Sequence, residues 1–336
     1  MTPHLLHHPD ADIRLTPRSD GDGFHISVAI HDANRFIPIR ECTTRYPVSL
    51  IEAILNIKGP AYLCDEVNRD ESPDYVQRFL QYEVLGYVAP EKFEGKRILD
   101  FGCGSGASSA VLARLLPRAD ITGVELNEAL LEIARARMEH HRLQNRLRFL
   151  VSPHGDVLPP DLGEFDHILL SAVYEHLLPQ ERKRLLPVIW QHLKPGGILF
   201  VNQTPFRWFP IEIHTTSGLP LINYLPDSIA HGYATRFCKR VSRDASWEGL
   251  LRAGIRGASI REIMNILKLN GAQPELLKPC RLGLNNRIDL WYEKTNKSQH
   301  PTQVKIIYYV AKTLHALTGL ELQPNLSLAI KKNNRR

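Results

Sequence analysis

The chain has few of the residues that would staple it together, and no long apolar run. It has five cysteines, Cys42, Cys64, Cys103, Cys238 and Cys280. No two of them stand at C-x-x-C spacing, which argues against a zinc site, and no metal is expected. An odd, scattered count fits free thiols in a reducing compartment. No apolar run reaches the roughly 18 residues that a membrane span needs. Met1 to Asp10 holds histidines and Pro3 but no apolar stretch of the secretory kind, so a soluble cytoplasmic protein is expected. Internal repeats and low-complexity tracts are absent. Neither sign of charge dominates: 42 Lys and Arg against 36 Asp and Glu leave a net +6, much of it in Lys331, Lys332, Arg335 and Arg336 at the C-terminal end. A nucleic-acid surface needs clustered basic residues interleaved with aromatics, and no stretch supplies one.

What is present is an ordinary globular balance, 43% hydrophobic and 23% charged over 336 residues, enough to bury a sizeable core. Residues 1–48 show no legible pattern. Ser49-Leu50-Ile51-Glu52 matches a capping box, and the helix it opens should end at Gly59-Pro60. Ser72-Pro73 opens a second helix, expected to run to about Leu85. From Arg97 onward strands alternate with helices. Strands are expected at 97–101, 121–126, 146–151, 165–171 and 197–203. Helices are expected at 107–116, 128–141 and 179–193, the last kinked or split by Pro187. Such alternation means a parallel sheet with helices on both faces. Residues 203–257 lose the rhythm and carry Pro205, Pro210, Pro220 and Pro226 among aromatics, as a lid does. A capping box at Ser259–Glu262 restarts a helix. Arg287–Glu293 and Asn325–Lys331 read as two late strands, with an amphipathic helix from Val304 to Leu317 between them.

The chemistry concentrates at Asp100-Phe101-Gly102-Cys103-Gly104-Ser105-Gly106, between a strand and a helix. Glycines there permit a tight turn and the close approach of a ligand, and the helix N-terminus favours an anionic group. The loop alone suits two ligand classes, because Gly102, Gly104 and Ala107 also fit a dinucleotide fingerprint. Glu125, at the end of the next strand, can accept both ribose hydroxyls of any adenosine-bearing cofactor.

The surrounding motifs break the tie. Asp100 with Gly102, Gly104 and Gly106 resembles the first motif of the class I S-adenosylmethionine-dependent methyltransferases. Glu125, followed by Leu126, lies where that family places its ribose-binding acid. Gly155-Asp156-Val157 resembles its third-strand motif, and Ser171-Ala172-Val173-Tyr174-Glu175-His176 the end of its fourth strand. Leu193-Lys194-Pro195-Gly196-Gly197 resembles the turn before its fifth strand. The resemblance implies a Rossmann-like, seven-stranded, mostly parallel α/β sheet. It implies S-adenosylmethionine as cofactor and S-adenosylhomocysteine as product. Asp156 would take the adenine amino group, Asp100 the amino group of the methionine, and Cys103 a place in the loop as a small residue; Ser171 would lie beside the methionine end. The layout expected is a helical extension at 1–90, the cofactor-binding core at 91–202, a lid-like acceptor-side insert at 203–257, and completion of the core at 258–336 with a helix inserted at 303–318.

Methyl transfer needs a base only where the acceptor keeps its proton at neutral pH. The candidates are His214 in the insert and His176 at the strand end, with Glu175, Tyr174 and Tyr233 behind them. By elimination the acceptor is a small molecule or a glycan or lipid intermediate, not a nucleic acid. The insert's aromatics, Phe206, Trp208, Phe209, Phe237 and Trp247, suit either an acceptor pocket or a small core under the loop. The 304–317 helix, with Lys305, Lys312 and His315, suits its own domain, a second subunit of a homodimer or an anionic membrane surface. Two rival functions stand beside the enzyme: a non-catalytic adenosyl-ligand-binding or scaffold protein, and an NAD-dependent dehydrogenase.

Overall fold

A computed structural model describes residues 4–32, 36–154, 157–214, 216–269, 271–297 and 300–333. In chain order the elements are β1 (His4–His8), β2 (Ala11–Pro17), β3 (Phe24–Ile30), β4 (Glu41–Thr44), α1 (Val48–Lys58), α2 (Leu63–Glu71), α3 (Arg78–Glu83), β5 (Arg97–Phe101), α4 (Ala107–Leu115), β6 (Asp120–Glu125), α5 (Glu128–His140), β7 (Leu147–Val151), β8 (Phe165–Ser171), α6 (Pro179–Gln191), β9 (Leu193–Pro205), α7 (Asp227–Phe237), α8 (Trp247–Arg252), α9 (Ile260–Leu269), β10 (Pro274–Leu276), α10 (Arg287–Thr295), α11 (Pro301–Thr318) and β11 (Asn325–Lys332). Strands β5 to β11 form one seven-stranded sheet in the order β10-β11-β9-β8-β5-β6-β7. Strand β8 runs parallel to β5 and β9, and β6 parallel to β7; β11 is antiparallel to β9 and β10. This is the Rossmann-like, mostly parallel α/β sheet the sequence led us to expect. Two compact units divide the chain, one made of the residues up to Leu80 with Cys103–Ser152, the other of Gln81–Gly102 with the residues from Pro153 onward.

The first unit opens with a correction. A helical extension is expected over 1–90, but the four strands β1 to β4 form an antiparallel meander, β1-β2-β3-β4, and among the described residues helices begin only at Val48. The cause is a period of two: Ala11, Ile13 and Leu15 are buried while Asp12 and Arg14 between them are exposed. One face therefore seeks a core. It finds one with Leu50, Ile51 and Ile54 of α1 and Leu63 and Val67 of α2. Helix α1 ends at Gly59 as expected, but Pro47 occupies its N-cap position, not Ser49.

At the centre of this unit lies a charge. Arg137 of α5 is fully buried. Its Nη1 donates to the Ser105 carbonyl at 2.6 Å and to Glu66 Oε1 at 3.1 Å, its Nη2 to the Glu66 carbonyl at 2.9 Å, and its Nε to the Tyr46 hydroxyl at 2.9 Å. Asp70 Oδ1 lies 3.5 Å from the same Nε and accepts from Tyr46; Asp70 Oδ2 is 2.7 Å from His141 Nε2. Burial pushes the Glu66 and Asp70 carboxyls up, but the guanidinium and the hydrogen bonds outweigh it and hold both below their ordinary 4.5 and 3.8.

In the second unit β8 is a continuous buried run, Ile168, Leu169 and Leu170, as a strand covered on both faces must be. Helix α6 passes unbroken through Pro187, so the expected split does not occur. A strand expected at 287–293 is instead helix α10. Ile288, Leu290 and Tyr292 alternate in sequence. However, the Asn286 side chain caps a helix by accepting from the Asp289 N–H at 3.0 Å, and Arg287, Ile288, Trp291 and Lys294 share its buried face. Lys294 is held there by Glu83 and by the Ser327 hydroxyl at 3.0 Å. The sixth strand of the sheet is the short β10. The insert is not bare loop either: Ile222, Ala230, Ala234, Leu250 and Ile255 form a core of their own, with Tyr233 and Trp247 against it. Helix α11 lies where expected; Val304 and Ala311 are buried, while Ile306, Tyr309, Val310 and Leu317 are exposed.

Replacing Arg137 by Leu strands two buried carboxylates and should cost about 3–5 kcal/mol, read by denaturant unfolding. Carboxyl groups held low stabilise the fold fully above their unfolded values and lose that contribution as pH falls through the folded ones. The wild-type protein should therefore lose stability below about pH 4.5, and the Arg137→Leu variant should show a flatter acid limb.

Candidate functional site

The two units each carry part of the predicted residue set. In the first, the chain leaves the sheet through Cys103-Gly104-Ser105-Gly106 and enters α4, whose N-cap, Gly106, is left-handed at φ +75° and offers no side-chain cap. The reason for glycine differs along the loop. A Cβ on Gly106 would stand 2.6 Å from Ala134 Cβ and 2.9 Å from Phe149 Cζ, so the helix packs directly on that backbone. Gly104, at φ +54°, faces open space, with no atom within 4 Å of where a Cβ would be. That is room through which a ligand can approach the backbone. Cys103 is buried and forms no disulfide.

Glu125 closes this loop. Its Oε2 accepts from the Gly104 N–H at 2.9 Å, and its Oε1 from the N–H groups of Leu126 at 2.8 Å and Asn127 at 3.1 Å. A carboxylate has about four acceptor sites, so capacity remains for a ligand hydroxyl. Leu126 beside it is 52% exposed, an apolar side chain left in the open. Asn127 caps α5 by accepting from the Ala129 N–H. The network also shows what sequence reading missed. Arg137 donates to Ser105 inside the loop, and Ser105 donates to Glu66. The one signal was a charged residue at the spacing of the apolar stripe Leu131, Ala134 and Met138.

In the second unit Asp100 is buried at the end of β5, and Gly102, at φ +72°, packs against Val173, whose Cγ2 is 2.5 Å from a Cβ built there. Ser171 ends β8; among the described residues nothing hydrogen-bonds its buried Oγ. Ala172 follows with φ +55°, the kind of backbone strain that collects at functional sites. Val157 is 47% exposed, while Asp156 and Gly155 lie outside the described residues.

His176 and His214, far apart in sequence, come together here with ring centroids 5.3 Å apart. Glu175 joins them. It is 1% exposed, its Oε2 accepts from the Thr204 hydroxyl at 3.0 Å, and its Oε1 lies 3.9 Å from His176 Nε2. Burial raises the Glu175 carboxyl. Burial, and then the neighbouring His176, lower the pKa of His214. Tyr174 is fully buried under Arg182, and burial pushes its phenol up. Tyr233 belongs to the insert's own core. Of the insert's aromatics, Phe206 and Phe209 are buried, while Trp208 is 43% and Phe237 64% exposed.

Residues 98–197 match a family described as a methyltransferase domain. The matched segment is the one whose motifs resemble the class I S-adenosylmethionine-dependent methyltransferases. Among curated proteins this chain is similar to the arsenite methyltransferase of Rattus norvegicus, 32% identical over 149 residues, covering 39% of this chain and 39% of that one. It is also similar to the ubiquinone biosynthesis O-methyltransferase of Coxiella burnetii (strain RSA 493 / Nine Mile phase I), 32% identical over 152 residues, covering 45% of this chain and 61% of that one. The match thus spans less than two thirds of either relative. A solved structure of the plantazolicin methyltransferase BpumL, in complex with a pentazolic desmethylPZN analog and SAH, is similar over 85% of this chain and 96% of that chain, at 17% identity and a TM-score of 0.43.

The methyltransferase domain should tolerate no side chain at Gly106. Gly106→Ala combines a left-handed alanine with overpacking against α5, and should destabilise the fold by about 2–4 kcal/mol in denaturant unfolding.

Proposed function

We propose that this chain transfers the methyl group of S-adenosylmethionine to an oxygen of a small molecule or of a glycan or lipid intermediate, releasing S-adenosylhomocysteine. The observation that carries the reading is the glycine loop running into α4 with the Glu125 carboxylate bonded to the Gly104 N–H, inside the matched methyltransferase segment. When bound, the cofactor supplies an electrophilic methyl on a sulfonium. Everything else falls to the chain: holding, aligning and drying the reactants. Glu125 holds the ribose with its remaining acceptor capacity, and Leu126 beside it offers exposed apolar surface to the adenine. Asp156 takes the adenine amino group, as the sequence motif implies. The loop and the N-terminus of α4 receive the methionine carboxylate, and Asp100 its amino group. Ser171 Oγ gains the partner it lacks.

Oxygen as acceptor atom rests on two supports. The Coxiella relative is named an O-methyltransferase. A hydroxyl acceptor also needs a group to take or displace its proton, and His176, His214 and Glu175 make one polar cluster for that purpose. The insert that carries His214 forms the acceptor side. Among the described residues no helix is long and apolar enough to cross a membrane.

Calorimetric titration with S-adenosylmethionine, S-adenosylhomocysteine and NAD in parallel tests the reading. The two adenosyl ligands should bind and NAD should stay silent; NAD binding alone would send the assignment to a dehydrogenase. Binding followed by no turnover against any oxygen acceptor would favour a scaffold role. Glu125→Ala should weaken S-adenosylhomocysteine by about 1.5–3 kcal/mol for each charge-assisted bond lost. An unchanged affinity would remove Glu125 from the ribose.

A further inference from the structure

The cluster of Glu175, His176 and His214 has a feature that acid–base chemistry alone leaves unexplained. One carboxylate oxygen and one nitrogen from each ring lie within 4.8 Å of one another. One donor atom of each residue is already committed to the protein. His176 Nδ1 is 2.6 Å from the Arg252 carbonyl, which can only accept, so that nitrogen carries the proton. His214 Nδ1 is 3.2 Å from the Thr216 hydroxyl, which itself donates to the Ala253 carbonyl at 2.7 Å and so accepts from the ring. Both imidazoles are thereby left with the lone pair on Nε2. Glu175 Oε2 is bound by Thr204, while Oε1, in a side chain 1% exposed, has no hydrogen-bond partner among the described residues. Each of the three residues thus keeps one electron-pair donor that the protein does not use, and two of these, Glu175 Oε1 and His176 Nε2, stand 3.9 Å apart.

We infer that Glu175, His176 and His214 hold a divalent first-row transition ion, with further coordination positions open to an acceptor oxygen. Two imidazole nitrogens and one carboxylate oxygen are a donor set for zinc-like or iron-like ions, not for magnesium or calcium, which take oxygen ligands. The carbonyl of Arg252 and the hydroxyl of Thr216 play the outer-sphere part common at metal histidines: each fixes the ring's tautomer and its direction. At tetrahedral bond lengths the ligand atoms stand about 3.4 Å apart, so side-chain rotation must draw the three together when the ion enters. The expectation that the chain has no metal site, drawn from cysteine spacing, does not reach this set, because it uses no cysteine.

What the ion would do rests on the proposed methyl transfer to oxygen. An acceptor hydroxyl bound to it becomes more acidic, its proton passes to solvent, and the resulting oxyanion is the nucleophile. Binding of the ion does not rest on that reading. The test uses the full chain, stripped with a chelator, and titrates Zn2+, Co2+ and Mg2+ by calorimetry, with S-adenosylhomocysteine titrated separately. We expect one Zn2+ per chain, Mg2+ silent, and Co2+ giving the intense d–d absorption of a low-coordinate site. His214→Ala and the milder His214→Gln should each weaken Zn2+ at least tenfold, with thermal unfolding checked for both, while S-adenosylhomocysteine affinity stays within twofold of wild type. No stoichiometric Zn2+ binding, or Zn2+ binding unchanged in both His214 variants, would overturn the site. Loss of S-adenosylhomocysteine binding in the unaltered protein would instead overturn the methyltransferase reading and leave the metal result standing.

Discussion

The first unit depends on a single guanidinium. Arg137 is removed from water, and its donors are spent on Ser105 in the glycine loop, on Glu66 of α2 and on Tyr46 ahead of α1. An ion pair this deep contributes little net stability, because desolvating the charges cancels most of their attraction. Its effect is geometric. Ser105 can donate to Glu66 and accept from Arg137 in one arrangement only, so the loop's backbone is held before any ligand arrives. The N-terminal meander and its helices are then more than an appendage: Glu66 and Asp70 sit on α2, and α2 is positioned by the core that the meander closes.

How much of this was legible in the sequence varies with the range of the interaction. The strands from Arg97 to Ser171 and the helices between them could be read to within about a residue, because local periodicity and glycine punctuation set them; β9 begins at Leu193, four residues before the expected start at Gly197. The loop with Glu125 was legible for the same reason. The meander was missed although Ala-Asp-Ile-Arg-Leu alternates cleanly; its strands are short and lie before the family resemblance begins. Helix α10 was misread because Ile288, Leu290 and Tyr292 mimic a strand, while the Asn286 cap and Lys294 reaching the buried Glu83 decide for the helix. No local rule announces Glu66 with Arg137, which lie 71 residues apart. His176 and His214 were each legible as candidates; that they meet was not.

The ends of β8 and β9 carry some of the strained and unsatisfied groups of the second unit. Ala172 and Gln203 take left-handed backbone angles, and Ser171 Oγ, Glu175 Oε1 and both polar atoms of the Asn202 side chain lack partners among the described residues. Groups like these cost free energy in a resting fold, and they collect where a bound species can satisfy them. Parallel sheets place their ligands at the carboxyl ends of the strands. The defects and the rule coincide.

The private core of the insert bears on heredity. Ile222, Ala230, Ala234, Leu250 and Ile255 pack on one another, so this segment can accept substitutions on its outer loops without a change of register in β8 or β9. A lineage could then vary the surface of this segment while its strands and glycine loop stay fixed. Variation should be spread over the exposed Trp208, Ile211, Leu221 and Tyr224 and sparse along the buried strands.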